Sequence, residues 1–571
     1  VTGFFALGAI ALPRSALGAR CPFTAFTVKT IKFDWYYFTN NTETETVKLF
    51  RNKNVNPKIN MKKIILCLMS LSVALCLILF SEQTYARNSG YEVWLSDQGN
   101  TQGITASSPN GLYGGKVRIY DSADLEQNPP INNPLVLDVV TDLFPNALLT
   151  TGSDVNRIHG IIPTSDYKYM TLNFVASGHL GIVDGETKQP VCLFRSTATS
   201  TGRQNHMSTI SKDGTKILIA NQSGRMLERV DIQKNTAGQV TGFNYNADGS
   251  IDMVGGTGRV LNQPIAVDVN LGDNISCTVT GQVADGQSSS TPNGNPKQAA
   301  GVRPTNTVIC PIISDNSQHA YVTLGGGGMF VVDITTAPMK IVAEYDLNVV
   351  HAAGCGGQSA DGFMILNTGT SAPNVSEFTL YRFTQDYPLA PNYNQPNQPL
   401  PVAVWADPDN GKIILGNNRD AHGMVIVKNL SSGEDKYLHQ FDRVRNNAEV
   451  FQMNPPWENL HLRHEGTYSL TTTGSCGTTL GAEQSNDPTP DLADLSLGNN
   501  GDKIYVALRG PNPLTIAHAA AGSCPGLGII KLSPNNKSGE LTNVLPTMII
   551  SGDSTKNLSD PHGAIVRQKL N

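Results

Sequence analysis

The chain has 571 residues, 42 Lys and Arg against 47 Asp and Glu, a formal charge of −5 and 39% hydrophobic residues. That balance excludes a disordered or fibrous chain, which needs low hydrophobicity or a strict compositional repeat. The acidic excess also argues against a nucleic-acid partner, because it repels the phosphate backbone. With 54 Gly and 33 Pro, and many short apolar runs separated by Gly, Asn, Asp and Pro, the pattern predicts an all-β protein.

In chain order, Met61-Lys62-Lys63 opens a basic segment followed by the apolar run Ile64 to Phe80. The polar stretch Ser81-Glu82-Gln83 and the small-residue exit Thr84-Tyr85-Ala86 come next. This is the three-part layout of a signal peptide over 61–86, with cleavage expected after Ala86. The run of seventeen residues is short for a membrane span and lacks a basic stop-transfer flank, so no membrane insertion is expected after cleavage. Residues 1–60 show no repeat and read as an over-extended start, with Met61 as the initiator. Residues 87–571 then form one exported domain, periplasmic or secreted.

Removing 1–86 takes away ten basic and four acidic residues and leaves a net charge of −11. It leaves six cysteines: Cys192, Cys277, Cys310, Cys355, Cys476 and Cys524. An even count in an exported protein fits disulfides. Sequence alone fixes no pairing. Cys277 with Cys310, and Cys476 with Cys524, are candidates because each pair brackets an irregular insertion.

Two segments of the domain align without gaps. His159 is followed by Ser165-Asp166, the apolar stretch Tyr169 to Phe174, and Gly181-Ile182-Val183-Asp184. His206 is followed by Lys212-Asp213-Gly214, Lys216 to Ala220, and Arg229-Val230-Asp231. In both, a turn Asp lies seven positions after the His and a closing Asp twenty-five after it. A third copy runs through Asp315 and Asp333, with Val308 at the place of the histidine. Further copies are expected over 349–385, 417–453 and 487–534. Strand, Asp/Gly turn, strand, Gly turn, strand, at such spacing, is the content of a propeller blade. The remaining pieces, Glu92–Asp121 and Asp560–Leu570, make one more blade together. This predicts a seven-bladed β-propeller closed by pairing of the N- and C-terminal strands, with surface insertions near 281–300 and 455–484.

The segment Ile210-Ser211-Lys212-Asp213-Gly214-Thr215-Lys216-Ile217-Leu218-Ile219-Ala220-Asn221, followed by Arg229-Val230-Asp231, resembles the YVTN-type seven-bladed propellers. The resemblance covers nearly all of 91–571 and implies the fold, not an activity.

Five histidines stand at the heads of successive copies: His159, His206, His351, His422 and His562, out of eleven in the chain. First strands of propeller blades line the central channel, so five imidazoles there form a candidate metal site at its mouth. Met207, Met424 and Cys355 lie close to these histidines in sequence and favour copper. The arrangement is similar in outline to two copper-linked propeller families, nitrous oxide reductase and the selenium-binding/methanethiol oxidase group. Neither full motif is present. The bland reading is that the imidazoles hold the blades together, as the Gly-His pair does in WD-repeat propellers. Three of the five are followed by Gly, as a tight turn wants.

Asp491 and Asp494 fall near the corresponding place in the seventh copy. Arg443, Arg445 and Arg509 offer either an anion site or ion pairs with the acidic surface. His461 and His464 lie three apart in the 455–484 insertion and read as loop residues. The first functional reading is an exported binding or scaffold module for a protein or small-molecule ligand. The second is a copper oxidoreductase using the five histidines. The third is a lactonase-like hydrolase using Asp491 and Asp494 with a hard cation. No Gly-x-Ser-x-Gly elbow, His-Glu-x-x-His or phosphate-binding loop is present.

Overall fold

The computed structural model describes residues 90–570 except 100–114, 254–264, 270–274, 282–306, 326, 352–354, 361, 369–376, 390–397, 411–418, 429–435, 454–461, 472–486, 498–500, 511–521 and 548–558. All described residues belong to the unit Leu79–Asn571. The signal segment, residues 1–60, His461, Cys476 and most of the 281–300 insertion lie outside them. Among the described residues no helix is long and apolar enough to cross a membrane.

The protein is all-β, and among the described residues short helical turns occur only at Ser122–Leu125, Val139–Leu143 and Ala147–Thr151. The strand Ile158–Pro163 begins a meander through Tyr169–Phe174, His179–Asp184 and Pro190–Arg195. Asn205–Ile210 begins the next, through Lys216–Asn221, Met226–Lys234 and Val240–Asn246. Val308–Ile313, Gly357–Ala360 and Ala421–Lys428 each open a further sheet of four antiparallel strands. The strand Arg463–Ser469 is the fourth of the last of these, so the expected loop over 455–484 carries an outer strand.

The largest sheet has eight strands. Its inner part joins Pro561–Gln568 to Tyr91–Asp97 along seven residue pairs, and Leu492 to Gly563 in parallel. Its halves extend through Lys116–Asp121 and Leu135–Asp138 on one side. On the other they extend from Pro490–Leu495 through Lys503–Leu508, Gly526–Leu532 and Gly539–Pro546. The C-terminal strand thus lies beside the N-terminal one, as the leftover pieces of the repeat implied.

The meander is dictated locally by its turns. Thr164 and Ser211 hydroxyls donate to Asp166 and Asp213, each at 2.6 Å, and Ser314 donates to Asn316 at 2.6 Å. Such hydroxyl–carboxylate and hydroxyl–amide turns replace backbone pairs where the chain reverses. The closing Asp acts in the same way: Asp184 and Asp333 accept backbone N–H groups of the residues that follow them. Between sheets the strands bury unbroken apolar faces, such as Leu218, Ala220 and Leu227 against Val308, Val322 and Phe330.

The insertion after Asn246 adds edge strands to two neighbouring sheets. Ile265–Asp268 pairs with Pro190–Arg195, and Ser276–Thr280 runs parallel to Val240–Asn246. A disulfide between Cys192 and Cys277 ties them, with Cα atoms 5.8 Å apart. A second joins Cys310 to Cys355 at 5.3 Å. The candidate pair Cys277–Cys310 is therefore incorrect. Bracketing an insertion did not decide the partner; adjacency of sheets did. Cys524 is also disulfide-bonded.

One histidine away from the strand heads ties two sheets. His439 donates Nε2–H to the Asn536 carbonyl at 3.0 Å and lies 3.1 Å from the Tyr468 hydroxyl. Burial pushes its pKa down to about 4. The unfolded chain titrates near 6.5, so between about pH 6.5 and 4 it binds a proton that the folded protein does not. Stability therefore rises with pH in that window and falls on acidification, by up to about 1.4 kcal/mol per pH unit from this residue. His439→Gln is expected to remove one proton from the pH-linked slope of urea unfolding between pH 7 and 4. An unchanged slope would contradict a neutral, buried His439.

Candidate functional site

The site is set by an irregularity repeated at the head of the first strands. In each, two residues oppose one on the neighbouring strand, a β-bulge. The register skips between Ile158 and Ile161, Asn205 and Ser208, Val308 and Pro311, Ala421 and Met424, and Pro490 and Ala493. On the C-terminal strand it skips His562 between Pro561 and Gly563. The leading bulge residues are His159, His206, Ile309, His422, Asp491 and His562. In the sheet opened by Gly357–Ala360 the first paired residue is Gly357, so the same count puts Cys355 in the leading place.

This corrects two sequence assignments. Val308 is one residue early; the matching position is Ile309, because the turn is built on Asn316 and not on Asp315. His351 lies four residues before the bulge place that Cys355 takes. It is half-exposed, with Nδ1 3.2 Å from Glu377.

The other four histidines are buried and brought together. His159 stacks on His562 with ring centroids 3.5 Å apart, and His159 and His206 are 4.4 Å apart. His422 and His562 are 5.7 Å apart. Asp491 sits between these last two, its Oδ1 2.8 Å from His422 Nδ1 and 3.9 Å from His562 Nε2. His562 Nδ1 donates to the His159 carbonyl at 3.2 Å, and Ser96 Oγ donates to the same carbonyl at 2.8 Å. The glycines after His159 and His422 serve close approach. A Cβ on Gly160 would lie 2.4 Å from Met207 Sδ, and one on Gly423 would lie 2.2 Å from the Asp491 carbonyl. Neither has a positive φ, so the expected tight turn is not their reason.

Behind the imidazoles runs an alternating chain of buried charge. Arg443 makes two bonds of 2.9 Å to Asp420 and approaches Asp491 Oδ2 at 3.4 Å. Arg509 donates to the same oxygen at 2.8 Å and clamps Asp560 with two bonds of 2.7 Å. These arginines meet neither solvent nor the acidic surface. Three carboxylates and two guanidiniums leave one net negative charge behind the imidazoles. Sequence reasoning missed this network because the partners lie 18 to 51 residues apart. The one available signal was the recurrence of Asp two places before His in Asp420-Ala421-His422 and Asp560-Pro561-His562.

The electrostatics follow from this placement. Burial, then Arg443, holds His422 below the usual imidazole range, and burial holds His562 well below it. His206 is pushed down to about 3 by burial, then by His422 and Arg157. Burial works to raise Asp491, but His562, His422 and Arg443 outweigh it and leave the carboxyl well below its usual range. Asp494 stands apart. It accepts the N–H of Leu495 at 2.8 Å and of Val566 at 3.0 Å, and burial pushes its pKa up to about 6.

No family model matches the chain, and no curated protein matches it in sequence. Among solved structures it is similar to the periplasmic gluconolactonase of Pseudomonas aeruginosa, at 13% identity and a TM-score of 0.42, over 84% of this chain and 99% of that one. It is also similar to the β-propeller domain of Cps50 (Swd1) from Myceliophteria thermophila, at 10% identity and a TM-score of 0.30, over 62% and 93% of the two chains. A third is the hydrazine synthase of Kuenenia stuttgartiensis, at 11% and 0.33, over 75% and 94%. Likenesses at this level carry no activity to this chain.

Arg509→Ala leaves Asp491 and Asp560 buried without their shared cation. The expected loss in urea unfolding is about 3–5 kcal/mol, as for other broken buried pairs. Arg509→Lys is expected to recover only part of it, since an ammonium cannot reproduce the two-pronged contact. A loss below about 1 kcal/mol would contradict the network.

Proposed function

We propose that this chain is an exported seven-bladed β-propeller, residues 87–571, that binds one divalent metal ion between His422, Asp491 and His562 at the mouth of its central channel. Seven sets of four antiparallel strands among the described residues support the blade count. So does the order in which first strands touch: Pro561–Gln568, Ile158–Pro163, Asn205–Ile210, Val308–Ile313, Gly357–Ala360, Ala421–Lys428, Pro490–Leu495 and back to Pro561–Gln568. In this reading the C-terminal strand is the innermost of the blade that begins at Tyr91, which removes an open sheet edge. Export is supported by the signal layout over 61–86 and by disulfides, which persist in oxidising compartments.

One observation carries the metal. A nitrogen from each of His422 and His562 and an oxygen of Asp491 all lie within 4.8 Å of one another. Because His562 Nδ1 donates to a backbone carbonyl, its Nε2 turns a lone pair toward Asp491 Oδ1. Two acceptors facing each other at 3.9 Å are matched by a cation between them. An imidazole fixed by a carbonyl and a carboxylate fixed by arginines are the outer contacts that orient metal ligands.

The set is nitrogen and oxygen without sulfur, which suits zinc and its first-row neighbours and gives copper no thiolate. Three protein ligands leave a position for water, the arrangement of metal-assisted hydrolysis. The chemistry this supports is cleavage of a lactone or related ester, with Asp491 as a ligand and Asp494 outside the centre.

Chelator-treated protein is expected to take up one Zn2+ per chain in calorimetric titration. His422→Gln and His562→Gln are each expected to weaken binding by at least about tenfold, the scale for disturbed metal ligation. His351→Ala should leave it unchanged. Equal affinity in the double variant His422→Gln/His562→Gln would sink the proposal. In the zinc-loaded protein, hydrolysis of a δ-lactone should exceed that of the metal-free protein and fall with His562→Gln. Zinc uptake without such turnover would leave a binding module in place of a hydrolase.

A further inference from the structure

On the opposite arc of the same strand heads, His206 and Cys310 come from two successive first strands, and Cys355 lies two residues before the next, Gly357–Ala360. One ring nitrogen of His206 and both sulfurs lie within 4.8 Å of one another. His206 Nδ1 is 3.9 Å from Cys310 Sγ. Two sulfurs and an imidazole are a soft donor set of the kind that holds Zn2+ or Cu+. Here the sulfurs are joined to each other.

The bond is reachable from one side. Cys310 is buried and Cys355 half-buried. An attacking thiolate therefore meets the Cys355 sulfur first, and Cys310 is the leaving group. The two disulfides also differ in their surroundings. Cys192–Cys277 belongs to no His, Cys or carboxylate group of this size among the described residues, whereas Cys310–Cys355 has an imidazole at its side. Closing a loop explains a disulfide; it does not explain the imidazole.

We infer that the Cys310–Cys355 disulfide is a reducible gate on a second metal site, made of His206, Cys310 and Cys355. A dithiol reductant attacks Cys355 through one thiolate, forms a mixed disulfide and expels Cys310 as a thiolate. Its second thiol then resolves the mixed disulfide. Two electrons pass to the protein, the two protein sulfurs become thiols, and the reductant leaves as its own disulfide. The metal ion then binds both sulfurs and the imidazole and releases two protons. A fourth position is left for an exogenous ligand. Oxidation reverses the sequence and ejects the ion. This site is separate from the His422–Asp491–His562 centre and does not depend on it.

The test uses Co2+ as a spectroscopic probe of thiolate ligation in the full chain. After treatment with a phosphine reductant under anaerobic conditions, one Co2+ per chain should produce a sulfur-to-cobalt charge-transfer band. The untreated protein should show none. The variant Cys192→Ala/Cys277→Ala should keep the band, which separates this pair from the Cys192–Cys277 disulfide. Cys310→Ser/Cys355→Ser should abolish it, and His206→Ala should weaken Co2+ affinity by at least about tenfold. His422→Gln/His562→Gln, which removes the other centre, should leave the band intact. The inference is overturned by absence of the band in reduced wild-type protein, by its survival in the Cys310/Cys355 variant, or by indifference to His206→Ala. Loss of the native circular dichroism spectrum on reduction would overturn it too, since a gate must open in a folded protein.

Discussion

The bulge at the head of each first strand is the constraint from which the site follows. A regular strand alternates its side chains between two faces, and both faces here are packed against neighbouring sheets. Inserting one extra residue against Asn173, Ala220, Thr323, Phe441 and Ala507 frees one side chain per sheet from that alternation. The freed side chains are His159, His206, Ile309, His422, Asp491 and His562. Without the bulge these residues would belong to the packed faces, where unpaired imidazoles and carboxylates are costly.

Placing polar groups so deep requires compensation, and the chain Asp420–Arg443–Asp491–Arg509–Asp560 supplies it. Each arginine joins the head of one sheet to the head of the next, so the same contacts that satisfy buried charge also hold neighbouring sheets in register. Asp491 replaces a histidine at the one position where two guanidiniums converge. An imidazole there would face two cations; a carboxylate accepts both and still turns one oxygen toward His422 and His562. The residues proposed to hold the metal ion are thus the same ones that satisfy the buried charge between neighbouring sheets.

Much of the fold was legible because its determinants are local. The hydroxyl-to-Asp turn seven places after His159 and His206, and the closing Asp after it, are short-range hydrogen-bonding devices that leave a fixed spacing in sequence. They marked the strands correctly, and the leftover ends correctly paired Tyr91–Asp97 with the C-terminal strand. The same reasoning slipped by one residue at Val308, because Asn316 does in its turn what Asp does in the others. It slipped by four at His351, because the place two residues before the first paired residue, Gly357, holds a cysteine and not a histidine. The pair Cys277–Cys310 was misjudged for a related reason: loop boundaries are visible in sequence, but adjacency of sheets is not.

By itself the sequence determined an all-β chain of repeated meanders, its terminal pairing, and a recurrent histidine at the strand heads. Periodicity and turn chemistry act over a few residues, and such signals survive in a linear string. Only the tertiary structure decided which heads converge. It brought Asp491 between His422 and His562, set His351 aside against Glu377, and joined Cys310 to Cys355 beside His206. Those outcomes depend on which sheets are neighbours and how far each first strand advances toward its axis. That is fixed by packing between segments tens to hundreds of residues apart.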